Sequence, residues 1–164
     1  MPTAVPELIA LEIVERLGAI TTIGGYAFNV TEIKRPTRNG ENWQRKHLGI
    51  GVIQGNSERV PELDCPGNPP ALAYQVTFNL ECVCKDAETS TAAHATNENE
   101  MAAAVVKAIT ADGSMWYTMN SNAIDTQFGA NEPFPPSDGE MNGVTVPVIV
   151  IYRVSETDPY TVRA

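Results

Sequence analysis

The segment Val144–Val154 constrains this chain most, because it alternates like a strand yet is apolar on both sides. Val144, Val146, Val148, Val150 and Tyr152 point one way, and Pro147, Ile149 and Ile151 point the other. A strand greasy on two faces belongs to a sheet covered twice. Helices elsewhere in the chain supply one cover. Self-association is the simplest source of the second, so Ile149 and Ile151 are expected to meet a neighbouring copy.

Helical spacing begins early. Pro6 suits a first helical position and Glu7 a first turn, and Ile9, Ile13 and Leu17, with Val14 and Ile20, form the expected buried stripe. Gly18 or the pair Gly24-Gly25 ends the run. Two candidate strands follow, Tyr26–Lys34 and Gln44–Ile53, around Arg38-Asn39-Gly40-Glu41. Asn-Gly between alternating segments is a strong short-range hairpin signal. A three-residue loop sets Val30 opposite Leu48 and Phe28 opposite Ile50, whereas a two-residue loop places apolar residues opposite glycines; a protruding hairpin in the first register is expected.

Residues 54–70, rich in Pro and Gly, read as a loop. Tyr74, Val76, Phe78, Leu80, Cys82 and Cys84 then alternate with polar residues in the cleanest period-2 signal of the chain. Residues 86–97 read as a connection, with Asn97 and Glu100 as a capping pair for a second helix carrying Met101, Val105, Ala108 and Ile109 and stopping at Asp112-Gly113. Residues 113–143 form a long segment with one short possible strand near Ile124–Phe128. The expected architecture is α+β: a single small domain over 1–164, mainly antiparallel sheet, with two helices on one face and a protruding β-hairpin. Loops 34–46, 86–97 and 113–143 are its candidate interaction loops.

Charge narrows the function classes. The net charge of −9 disfavours an affinity resting on phosphate neutralisation. It is unevenly spread: Lys34, Arg35, Arg38, Arg45 and Lys46 stand against Glu41 alone, a local +4, which leaves −13 elsewhere. Two readings stay open, a solvated loop and a basic prong docking on an acidic surface. Trp43, inside the same stretch, either packs on the hairpin or anchors a partner. Trp116-Tyr117 reads as core at the base of the long segment. No apolar run is long enough for a membrane span. The beginning of the chain lacks the pattern of a secretory signal, so a cytosolic start is expected.

Residues that carry chemistry are sparse. His47 and His94 have no serine or cysteine nucleophile in a Gly-x-Ser-x-Gly setting. Cys82-x-Cys84, with Cys65, is the only metal-like spacing, and it reads as buried small hydrophobes. Asp125, Asp138 and Glu140 could hide a carboxylate pair, as in any acidic protein. Gly49-Ile50-Gly51 lacks the further glycine and helix of a phosphate loop. No catalytic residue, metal or cofactor is expected.

An N-terminal helix leads through Gly24-Gly25-Tyr26 into the hairpin, a central strand precedes an Ala-rich helix, and Val148-Ile149-Val150-Ile151-Tyr152-Arg153 is followed by Asp158-Pro159-Tyr160. In these features the chain resembles the tail terminator, or tail completion, proteins of long-tailed bacteriophages. The resemblance implies a virion structural protein, made in the host cytoplasm, with six copies in a ring. It also implies docking on the tail tube protein, a halt to tube polymerisation and a platform for head-completion or connector proteins, with DNA only as passing cargo. Tyr160 joins the candidate contact residues on this ground. The alternatives are another head–tail connector or tail-tube protein, or a small enzyme or monomeric binding module using residues 113–143.

Overall fold

The computed structural model describes residues 2–36, 44–84, 91–111, 119–134 and 142–163. Among them are two α-helices, one 3₁₀ turn and a seven-stranded mixed, mostly antiparallel sheet, a small single-domain α+β fold. Helix α1 spans Val5–Gly18 with Pro in its first turn, and Ile9, Ile13, Leu17 and the following Ile20 are fully buried, as the helical stripe requires. The strands are β1 (Glu32–Lys34), β2 (Gly49–Arg59), β3 (Ala71–Val83), β4 (Asp125–Phe128), β5 (Glu132–Pro133), β6 (Gly143–Ser155) and β7 (Asp158–Val162). Helix α2 spans Thr91–Ile109.

The antiparallel ladder between β3 and β6 is the spine of the fold, running without a break from Ala71↔Ser155 to Val83↔Gly143. Antiparallel β2 flanks β3, and β4, β5 and β7 share the other side of β6. The register sorts side chains into two faces. Ile50, Cys82 and Val144 share a row, as do Val52, Leu80 and Val146, and then Phe78 and Val148. With Val76 and Val150 they make one continuous cluster with both helices. Phe78 and Leu80 are fully buried there, each adding roughly 2–3 kcal/mol of burial free energy. Ile53, Thr77, Asn79, Pro147 and Ile149 lie on the opposite face.

Five expectations are corrected. The stretch Tyr26–Lys34 does not return as one arm of an antiparallel hairpin. Only β1 forms, and it pairs with β2 in parallel, Glu32↔Gly49 to Lys34↔Gly51. A two-stranded hairpin is marginal on its own. Here Phe28, Val30 and Ile33 pack against the common core, and that burial outweighs a local turn preference. Residues 54–59 are not loop but the continuation of β2, with a bulge between Gln54 and Ser57. Helix α2 begins six residues before Asn97, since Ala93, Ala95 and their neighbours are helix-compatible without an apolar stripe. The long segment 113–143 holds both β4 and β5, and β7 follows a turn after β6 that hydrophobic alternation did not reveal. Finally, Ile151 is only 8% exposed in the single chain, so it needs no neighbour to cover it, while Ile149 is half-buried.

Candidate interaction surface

The sheet face away from the helices has a middle and two ends. At one end the Phe134 ring lies over Gly143, where an added Cβ would come within 2.2 Å of the ring, so the position excludes a side chain. Arg45 completes this end, with its guanidinium carbon 4.2 Å from the Phe134 centroid and its Nε 3.3 Å from a Glu81 carboxylate oxygen. At the other end Arg153 Nε donates to the Leu63 carbonyl of the 3₁₀ turn Pro61–Leu63, at 2.8 Å. Beside it Asp64 accepts both Arg59 guanidinium nitrogens at 2.7 and 2.8 Å and the Ala73 N–H at 2.7 Å; Arg59 shares its row with Tyr74 and Tyr152 on the helix side, so this clasp belongs to the end of the sheet and not to the open face. The Arg59 hydrogen bonds first, then the Ala73 amide, pull the Asp64 carboxyl down to about 2.

Between these ends the floor carries Ile53, Gln75, Thr77, Asn79, Pro147, Ile149 and Gln127. All are half-buried or exposed and none is itself charged, but the row of Gln75 is flanked by the carboxylates of Glu58 and Asp125, so the uncharged rows are the central two, those of Ile53 and of Thr77. In a chain of net charge −9, a patch free of charge is where another acidic molecule approaches with least repulsion.

The basic stretch takes a different form from a free prong. Lys34 and Lys46 both reach Glu32, at 3.2 and 3.3 Å. Partial burial works against ionisation of Glu32, but the two lysine hydrogen bonds outweigh it and hold its carboxyl below the usual range. Arg35 is ion-paired with Glu7 of α1, and Arg45 with Glu81 of β3. Four of the five basic residues are thus matched by carboxylates of their own domain. Arg38 and Trp43 lie outside the described residues. Tyr160, on β7, is 47% exposed and stands apart from the uncharged floor in the register of the sheet.

No protein-family profile matches this chain, and no curated protein does.

For catalysis the described residues offer little convergence. Cys82 and Cys84 are buried; burial, then neighbouring negative charge, pushes Cys82 far above the usual thiol range and Cys84 up to about 12. Burial thus favours the neutral thiol at both positions. His47 and His94 are exposed and 47 positions apart in sequence. Among the described residues no three His, Cys, Asp or Glu side chains gather as a metal site. Asp125 spends its two oxygens on the Thr126 N–H and the Gln127 side chain, 2.9 and 2.7 Å away. Asp138, Glu140, Trp116 and Tyr117 lie outside the described residues.

Sequence reasoning missed the two clasped ends. Gly143 directly before the valine run was a usable signal, since glycine at the start of a strand marks a close approach. The Asp64 clasp left none, because its partners come from β2, β3 and the loop between them.

Proposed function

We propose that this protein is a structural subunit that assembles head-to-tail into a ring, in the manner of the phage tail terminators it resembles in sequence. In this reading six copies cap the tail tube, end its polymerisation and present a platform to head-completion or connector proteins. The protein carries out no catalytic step. It belongs to the virion, at the head-proximal end of the tail, after assembly in the host cytoplasm. DNA passes through the channel without being gripped, which the net charge of −9 favours.

The observation that carries the reading is the one-sided fold. Both helices cover one face of the sheet, and the centre of the other face is an uncharged floor with Ile53, Pro147 and Ile149 partly open. A subunit with a helical layer on one side and an open sheet on the other has two unlike surfaces, and unlike surfaces associate heterologously, closing a ring when the rotation permits.

Native mass measurement of the purified chain tests this first: a discrete species of about six subunits is expected, and a strict monomer at every concentration, alone and with tail tubes, would remove the proposal. Imaging particles assembled without the protein tests the role. Overlong or headless tails are the expected outcome; filled heads that leak DNA would assign the protein to the connector instead.

A further inference from the structure

We propose that Ile23, at the tip of the turn after α1, is the knob by which one copy of this chain seats on the open sheet face of the next. The inference rests on the ring reading above and names the two sides of its subunit contact. Ile23 is 99% exposed, against 50% for Leu11 and 47% for Tyr160, the other exposed large hydrophobics among the described residues. The fold accounts for its neighbours but not for it. A Cβ at Gly24 would stand 2.7 Å from the Ala19 carbonyl oxygen, and Gly25 has a φ of +79°, so both positions require glycine. Thr21 Oγ1 accepts the Gly24 N–H at 3.0 Å, and Asn29 Oδ1 accepts the Thr22 N–H at 2.7 Å. Lys107 of α2 donates to the Gly25 carbonyl at 2.9 Å, with its Nζ 4.3 Å from the Tyr26 ring centroid. The turn is thus tied to α2 and to the segment leading into β1, and it holds Ile23 out in water. An apolar side chain on a backbone already fixed gives up little freedom on docking, which suits it to anchor an interface.

Charge selects the surface that Ile23 meets. Residues 17–31 contain no charged side chain, and the cation that touches the turn is Lys107. Leu11, by contrast, lies one helical turn from both Glu7 and Glu15, and Tyr160 lies two positions from Asp158. On the open sheet face, the rows Ile53-Asn79-Pro147 and Thr77-Ile149-Gln127 are uncharged. The rows on either side carry Glu58 and Asp125, and Glu81 and Glu132, with Arg45 matched by Glu81. An apolar floor with acidic margins complements an apolar knob with a lysine beside it.

Both halves of the contact are therefore present on the same chain. One chain cannot join them by itself, because the turn belongs to the helical layer and the floor lies on the far side of the sheet. A second copy can. An exposed apolar residue that fits a site elsewhere on the same molecule makes a heterologous contact, and each copy then uses its knob once and its floor once.

Native mass measurement on the full-length chain tests this with substitutions at exposed positions. Ile23→Asp and Asn79→Asp, the latter in the middle of the floor, should each weaken assembly roughly tenfold or more. Ile23→Ser, which adds no charge, should weaken it in the same direction, and Leu11→Asp should leave it unchanged. Where the unaltered chain is assembled, Ile23→Asp and Asn79→Asp should each be monomeric alone. Their equimolar mixture should give a one-to-one pair and nothing larger, since only one intact knob then meets one intact floor. If the unaltered chain assembles and Ile23→Asp assembles equally well, this inference falls and the ring reading stands. An unaltered chain that stays monomeric at every concentration, alone and with tail tubes, removes both. Failure of the mixture to pair would also overturn the inference. So would Ile23→Asp rings that no longer bind tail tubes, because the knob would then belong to the tube protein.

Discussion

The β3–β6 ladder and the β1–β2 pair are built from similar residues yet obey different masters. In β3 and β6 every row of the ladder joins an apolar residue to an apolar residue on the helix side, Leu80 to Val146 and Phe78 to Val148, so the period-2 pattern alone dictates which face is buried. In the β1–β2 region the alternation is weaker, the strands run parallel, and Ile33 is only half-buried beside Ile50. Alternation tells a strand which side faces inward. It is silent on the direction of the partner, which is set by what the whole core can bury.

Mutations break this comparison most directly in the ladder. Phe78→Ala is expected to cost about 3–5 kcal/mol in denaturant unfolding, since its side chain is fully buried. Gly143→Ala comes next, at roughly 1–3 kcal/mol, because its Cβ would meet both the Phe134 ring and the Cys82 carbonyl. Ile33→Ala in β1 should cost only about 1–2 kcal/mol, half-buried as it is. Equal losses for Phe78→Ala and Ile33→Ala would mean that the parallel pair is as deep a part of the core as the ladder.

Acid probes the clasp at Asp64. The Asp64 carboxyl sits at about 2 in the folded protein, below its ordinary unfolded value, so its stabilising contribution is complete above that ordinary value. It is lost as pH falls from about 4 towards about 2. The unfolding midpoint should drop across that window, and Asp64→Asn should flatten the drop while lowering the plateau above it. An unchanged acid limb in Asp64→Asn would show that other carboxylates carry it. The smallest effect expected is Glu32→Gln, which removes an exposed ion pair with Lys34 and Lys46 and should leave the thermal midpoint almost unmoved.

Much of the scaffold was legible in the residues. The stripe Ile9-Ile13-Leu17, the alternation of Tyr74–Cys84 and the double-sided run Val144–Val154 each specify an element and its inward side. The start of α2 was not legible, because Ala, Thr and Asn have no hydrophobic period to announce a helix. β7 was hidden for a related reason: five residues with Pro159 and an exposed Tyr160 carry little alternation. The candidate surface was half legible. Ile149 was correctly marked as incompletely covered, yet Ile151 is buried by its own chain. The basic residues 34–46 could be read as a solvated loop or as a prong, and the carboxylates that pair with Lys34, Arg35, Arg45 and Lys46 were not legible because Glu7, Glu32 and Glu81 are spread over α1, β1 and β3.

By itself, then, the order of residues determined the class of fold, the inward face of each long element and the burial of Cys82 and Cys84, though not of Cys65, because periodicity and residue size act within a few neighbours. Only the tertiary structure decided the direction of β1, the closure of Phe134 over Gly143 and the pairing of Lys34, Arg35, Arg45 and Lys46. These depend on groups far apart in the chain, whose meeting is set by the packing of the whole core and not by any local preference.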